Sequence, residues 1–140
     1  MDEATFHEYC RSFNDGDKSK TFDMYYTPDA VFMHPLKGTF TGKAAIVHFW
    51  TAGHKGIKEI LKPVNLVVEN DRIAAEFIIE WHCTEDTEYL GPRKKGETYY
   101  AECAAFYRLQ KDRFANVKLY LKETPDKDGE SMANQNAKAV

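Results

Sequence analysis

The stretch from Tyr26 to Pro35 most constrains the fold, because a helical pattern ends there and a short strand pattern begins. Side chains alternate between the two faces of a strand, so Phe32 and His34 share one face. Pro35 has no N–H for a sheet ladder and favours extended backbone at His34, so the strand is expected to end at a sheet rim. His34 is either part of a pocket there or a partly exposed histidine bonded to water.

Two helical patterns precede this strand, over residues 5–13 and from 18 to about 26, and a third begins near Lys43. The first is amphipathic, with apolar residues at i, i+3, i+4 and i+7, and it directs Tyr9 at the core. In the second, Asp23 lies one turn before the apolar end of the pattern, near its apolar face. Asp23 is either a site residue or a solvated helical aspartate.

The rest of the sequence is typical of an antiparallel sheet. Apolar runs separated by turn residues predict four strands, with a long polar hairpin loop between the second and the third. The predicted strands are residues 64–69, 72–83, 97–109 and 114–123, and the loop is residues 84–96. Helices followed by strands predict an α+β domain with the helices packed on one face of the sheet.

The chain has 140 residues, 43% of them hydrophobic, which is enough for one domain with a single core. An aromatic content of 14% suits an apolar cavity as well as a core. We predict one domain over residues 1–124. Residues 125–140 are polar and offer little surface to bury, so they are predicted to form a mobile tail.

Several classes of function are not expected. The net charge is −3 and the only basic run is residues 93–95, so no nucleic-acid surface is predicted. The acidic N-terminus has no apolar run, which predicts neither a secretion signal nor a membrane span and favours a cytoplasmic protein. Three cysteines without CxxC spacing, and His48 and His54 six residues apart, predict no metal site.

Three segments resemble the nuclear-transport-factor-2-like superfamily, in particular its ketosteroid isomerase and SnoaL-like polyketide cyclase branches. They are residues 9–17 (YCRSFNDGD), 26–35 (YTPDAVFMHP) and 42–50 (GKAAIVHFW), and the resemblance covers about residues 5–123. It implies a conical α+β barrel, in which three N-terminal helices pack on a strongly curved, mostly antiparallel sheet that encloses one apolar pocket.

The resemblance also implies roles for single residues. Tyr9 falls on the isomerase tyrosine that donates to the substrate oxyanion, and His34 takes the place of the general-base aspartate. The second oxyanion donor falls on Ala105 or Cys103, so the two-donor site on which steroid isomerisation depends is incomplete. Asp23 falls on a pocket-lining position, where a carboxylate would orient the His34 ring and stabilise its charged form.

These residues predict a cofactor-free isomerase or cyclase that moves protons on an apolar polyketide- or terpenoid-type substrate of secondary metabolism. His34 would be the base, Asp23 its orienting group and Tyr9 the donor to developing oxygen charge. The predicted wall of the pocket consists of Phe32, Trp50, Phe77, Trp81, Cys103, Val117 and Leu119. Two alternatives remain open: a dehydratase similar to scytalone dehydratase, and a non-catalytic ligand-binding or dimerisation module.

A homodimer is also predicted. Alternation places Tyr100, Phe106 and Tyr120 on the sheet face opposite the pocket, where they would otherwise be exposed aromatic side chains. The predicted partners are therefore a small apolar substrate and a second copy of the chain, with no nucleic acid and no membrane.

Overall fold

The computed structural model describes residues 1–124, so the tail predicted over residues 125–140 lies outside the described residues. Three α-helices and one short 3-10 helix occur. They are α1 (Glu3–Asp15), α2 (Lys18–Tyr25), α3 (Lys43–Thr51) and the 3-10 turn Ala52–His54. None of the helices in residues 1–124 is both long enough and apolar enough to cross a membrane.

Eight strands complete the described part of the chain. They are β1 (Tyr26–His34), β2 (Gly38–Thr41), β3 (Ile57–Glu69), β4 (Arg72–Cys83), β5 (Thr87–Glu88), β6 (Pro92–Arg93), β7 (Thr98–Gln110) and β8 (Arg113–Thr124). Six of them form one sheet in the order β2-β1-β8-β7-β4-β3, and β5 pairs with β6 alone. Only the β1–β8 pair in the six-stranded sheet is parallel.

The α+β class and the mostly antiparallel sheet are therefore confirmed. The sheet is not a closed barrel, because β2 and β3 are its free edges. The helices cover one face, and an aromatic core fills the space between the layers. In α1 this core face carries Phe6, Tyr9 and Phe13, as its apolar spacing predicts.

Two predicted boundaries differ from the structure in ways that matter for function. Strand β3 starts at Ile57, seven residues before the predicted start at Val64. Pro63 lies inside it, which is possible because β3 is an edge strand with a bulge between Pro63 and Asn65. The loop over residues 84–96 is not simply a solvated connection, since it folds back and buries Tyr89.

The end of α1 is tied to the edge strand β3 by one side chain. Asn14 donates its amide N–H to the Leu61 carbonyl at 2.9 Å and accepts the Leu61 N–H at 2.8 Å. Its amide thus acts as a short partner strand for one residue of β3, and both backbone groups of Leu61 are satisfied.

Replacing Asn14 with Ala should lower the free energy of unfolding by about 1 to 3 kcal/mol, because it leaves both Leu61 backbone groups without a partner. Asn14→Asp is the control, since the carboxylate keeps the acceptor and loses only the donor. Its free energy of unfolding should lie between those of the parent and Asn14→Ala, and urea denaturation measures all three values. An Asn14→Ala variant as stable as the parent would show that water replaces the side chain at no cost.

The homodimer stays a prediction, and substitutions on the outer face of the sheet can test it. Phe106 and Tyr120 are each 51% exposed there, with ring centroids 6.1 Å apart. Sedimentation at micromolar concentration should give about 32 kDa, twice the 16.1 kDa of one chain. Phe106→Glu should shift the protein to monomer, whereas Met24→Glu, a change at an exposed apolar residue of α2, should not. A parent protein that sediments at 16.1 kDa contradicts the prediction.

Candidate active site

A buried cavity lies between the helices and the inward face of the sheet. About 30 Å³ of it is open to the centres of water molecules, room for about two of them. Its walls are mostly aromatic. Its polar groups include the hydroxyls of four tyrosines, the His34 ring and the Glu59 carboxyl group; the tyrosines are Tyr9, Tyr26, Tyr89 and Tyr107.

His34 lines this cavity at the end of β1, as alternation and Pro35 predict, and it is buried. Its Nδ1 accepts the backbone N–H groups of Leu36 at 3.1 Å and Lys37 at 3.0 Å. Two donors at Nδ1 leave no place for a proton there, so the neutral ring carries its proton on Nε2. The Nε2–H then donates to the Tyr89 hydroxyl, whose oxygen is 3.0 Å away.

These contacts change the role predicted for His34. Burial is the main reason why the pKa of His34 falls to about 4, and electrostatic interactions with His54 and Lys37 lower it further. The ring is therefore neutral at pH 7 and presents a proton, not a lone pair, to its cavity partner. His34 belongs to the site, but its geometry is that of a hydrogen-bond donor and not of the predicted base.

Tyr89 was not predicted as a site residue. Its hydroxyl accepts from His34, so its own hydrogen remains available to a ligand oxygen in the cavity. Burial raises the pKa of Tyr89, which keeps the hydroxyl protonated. The signal in the sequence is the apolar pair Tyr89-Leu90 inside an otherwise polar loop.

Tyr9 also lines the cavity, and its hydroxyl lies 3.1 Å from that of Tyr26. Burial, with a smaller contribution from Tyr26, raises the pKa of Tyr9 well above its usual value. The Tyr107 hydroxyl is a further hydrogen-bond partner of Tyr9, so the three hydroxyls form one buried cluster at the cavity. This placement is compatible with the donor role predicted for Tyr9.

Asp23 is not part of the cavity, and its predicted pairing with His34 is wrong. Its side chain is 63% exposed and forms an ion pair with Lys43 at 2.8 Å. The prediction placed Asp23 near the apolar face because it lies one turn before Tyr26. The buried face of α2 consists of Thr21, Phe22 and Tyr25, and Asp23 lies outside it.

Glu59 is the carboxyl group that the cavity does contain. It lies on β3 directly opposite Trp81 of β4, and only 8% of it is exposed. Its Oε1 accepts the Trp81 indole N–H at 2.6 Å, and its Oε2 accepts that of Trp50 at 2.7 Å. Glu59 was not predicted as a site residue because the strand was expected to start at Val64. Since β3 starts at Ile57, alternation puts Glu59 and Leu61 on one face.

His54 lies behind Glu59 and is 4% exposed. Its Nδ1 is 2.8 Å from the Phe49 carbonyl oxygen, which can only accept, so Nδ1 carries a proton. Its Nε2 has no hydrogen-bond partner among the described residues and lies 3.9 Å from Glu59 Oε1. This pair replaces the predicted histidine–aspartate pair.

Six of the seven predicted wall residues line the cavity: Phe32, Trp50, Phe77, Trp81, Cys103 and Leu119. Val117 does not. It is fully buried in the core, where it is the sheet neighbour of Phe32 and Tyr107. Burial, and then the charge of Glu59, raise the pKa of the Cys103 thiol to about 12, so this thiol is protonated and not a nucleophile at neutral pH.

The lowered pKa of His34 predicts a loss of stability in acid. Between the unfolded value of 6.5 and the folded value of about 4, the unfolded chain binds the proton and the folded chain does not. The free energy of unfolding should therefore decrease as the pH falls across this range. His34→Asn keeps an acceptor for the Leu36 and Lys37 N–H groups and should show a smaller decrease. Equal pH dependence in the two proteins, measured by urea denaturation, would contradict the shift.

Three solved structures illustrate the similarity to known proteins. A protein of Xanthomonas campestris pv. campestris, provisionally assigned as a polyketide cyclase, has 20% identity and a TM-score of 0.73, over 84% of this chain and 87% of its own. A Pseudomonas putida KT2440 protein with the same assignment has 27% identity and a TM-score of 0.68, over 82% and 86%. IdmH of Streptomyces antibioticus, also provisionally assigned as a polyketide cyclase, has 17% identity and a TM-score of 0.67, over 96% of both chains.

No curated protein is similar enough in sequence to count as a match. A family model does match: the SnoaL-like domain, over residues 6–117, which includes all three helices and most of the sheet. The chain therefore belongs to the SnoaL-like domain family, within the nuclear-transport-factor-2-like superfamily whose pattern its helices and first strand carry.

Proposed function

We propose that this protein is a cofactor-free isomerase or cyclase that moves protons on an apolar, carbonyl-bearing substrate of the polyketide or terpenoid type, in secondary metabolism. The observation that carries the proposal is the hydrogen-bond chain from His34 through Tyr89 into an aromatic cavity. The relatives provisionally assigned as polyketide cyclases support the substrate class.

The chain supplies what enolisation needs at the carbonyl oxygen. As a proton leaves the neighbouring carbon, negative charge grows on that oxygen, and a donor aimed at it lowers the barrier. Tyr89 would donate its hydroxyl hydrogen there. The His34 Nε2–H behind it polarises the hydroxyl, and the ring does so while neutral because its pKa is about 4.

Tyr9 is the second candidate donor. Its hydroxyl lies in a cluster with those of Tyr26 and Tyr107, and one hydrogen of this cluster would turn to the substrate oxygen. Two donors near a carbonyl oxygen would restore the oxyanion site that the sequence lacks at Ala105 and Cys103.

A ligand-binding role without catalysis is the second candidate function, because the cavity walls are mostly aromatic. The small volume of the cavity restricts both functions: pockets for drug-sized ligands measure roughly 300 to 1,000 Å³, whereas about 30 Å³ is open here. A bicyclic or larger molecule therefore enters only if a wall side chain such as Phe49 turns aside.

Proton exchange tests the proposed function without knowledge of the natural substrate. In D₂O the protein should accelerate deuterium uptake next to the carbonyl of apolar ketones such as 2-tetralone, followed by NMR. Tyr89→Phe should lower that rate by about 100-fold or more, the usual effect of losing one oxyanion donor. Tyr9→Phe should also lower it, and should lower thermal stability slightly because the buried Tyr26 hydroxyl loses a partner.

Tyr100→Phe is the matched control, because Tyr100 is directly opposite Glu80 and Thr124 in the sheet and does not line the cavity. It should exchange at the parent rate. If the parent binds these ketones but exchanges none of them faster than buffer, the binding module is the better description.

A further inference from the structure

Glu59 is an unusual residue to find in this cavity. Among the cavity-lining residues that the structure describes it is the one carboxyl group, and its surroundings are aromatic. A carboxylate buried in this way is costly unless its oxygens are hydrogen-bonded. The indoles of Trp50 and Trp81 meet that requirement, one at each oxygen.

These two hydrogen bonds favour the ionised form of the carboxyl group. An indole N–H only donates, so each carboxyl oxygen acts as an acceptor, and hydrogen bonds of this kind are stronger to a carboxylate than to a neutral carboxyl group. Each oxygen keeps a further lone pair. Trp50 comes from α3 and Trp81 from β4, so elements on both sides of the cavity fix the orientation of Glu59.

His54 gives the second, independent observation. Its Nε2 is buried, has no partner among residues 1–124, and faces Glu59 Oε1 across 3.9 Å. With the proton held on Nδ1 by the Phe49 carbonyl, both facing atoms are acceptors. The gap exceeds a hydrogen bond by about 1 Å, so a proton that arrives at Glu59 finds a ready second acceptor.

We propose that Glu59 is the catalytic base of this cavity and that His54 is a positioning residue that takes up the proton from it. This inference rests on the proposed function. The C–H bond next to the substrate carbonyl breaks, its proton goes to a Glu59 oxygen, and its electron pair forms the enolate. Tyr89 donates a hydrogen bond to the enolate oxygen.

The proton then passes to His54 Nε2, which gives an imidazolium beside a carboxylate. Because His54 is not among the residues that line the cavity, the proton returns through Glu59 to a different carbon of the substrate. The sequence of steps transfers one proton out and one proton back, so it needs neither an oxidant nor a reductant. The base role that the sequence suggested for His34 thus goes to Glu59, and His34 supports the Tyr89 donor at the substrate oxygen.

The test is deuterium uptake by 2-tetralone in D₂O with four proteins: the parent, Glu59→Gln, Glu59→Asp and Glu80→Gln. Glu59→Gln should lower the rate by roughly 100- to 10,000-fold, the usual contribution of a general base. Glu59→Asp should recover part of it, because a carboxylate is restored. Glu80→Gln is the control, since Glu80 is a partly buried glutamate of β4 that pairs with His82 outside the cavity. It should match the parent.

Near-UV circular dichroism and melting temperature must show that each variant is folded. If the parent exchanges and folded Glu59→Gln exchanges within about 3-fold of it, Glu59 is not the base, and the proposed function stands without it. A parent that binds apolar ketones but exchanges none of them faster than buffer overturns the proposed function and with it the base role of Glu59.

The role of His54 has a readout that needs no turnover. Nitrogen-15 NMR at pH 8 should show the neutral ring protonated on Nδ1 with an unprotonated Nε2. The opposite tautomer would place a donor, not an acceptor, opposite Glu59, and that result overturns the transfer to His54 whatever the exchange rates are.

Discussion

The active cavity depends on one constraint: a carboxylate is buried in an aromatic interior and must be held there by hydrogen bonds. Glu59 satisfies it with the indole N–H groups of Trp50 and Trp81, at 2.7 and 2.6 Å. Because these partners belong to α3 and β4, the same two bonds join a helix to the sheet. Removing either indole would leave a buried Glu59 oxygen without its donor, so each tryptophan contributes both to core packing and to the hydrogen bonding of Glu59.

A second polar arrangement, at the end of β1, is complementary to the first. The backbone N–H groups of Leu36 and Lys37 set the tautomer of His34, and burial keeps the ring neutral. Its hydrogen bond to Tyr89 holds this loop residue against the cavity. The Tyr89 ring also lies against His54, with centroids 4.3 Å apart, so the donor chain and the Glu59–His54 pair meet at this one side chain.

Much of this could be predicted from sequence, because local patterns governed it. The apolar spacing of α1 placed Tyr9, and alternation plus Pro35 placed His34 at a rim of the sheet. What could not be predicted depended on tertiary context. Pro63 argued against a strand before Val64, so the first half of β3 and Glu59 were not predicted. A proline is tolerated there because β3 is an edge strand. Tyr89 was not predicted because its loop is otherwise polar, and Asp23 was placed near the apolar face of α2 although it lies outside the buried face.

Neutron diffraction from a crystal exchanged into D₂O near neutral pH would show whether His34 is a hydrogen-bond donor and Glu59 an acceptor, because it locates every exchangeable proton of the site at once. We expect deuterium on His34 Nε2 and on His54 Nδ1. We expect none on His34 Nδ1, on His54 Nε2 or on either oxygen of Glu59. Deuterium on His34 Nδ1, or on a Glu59 oxygen, would contradict the assignment of His34 as donor and Glu59 as acceptor.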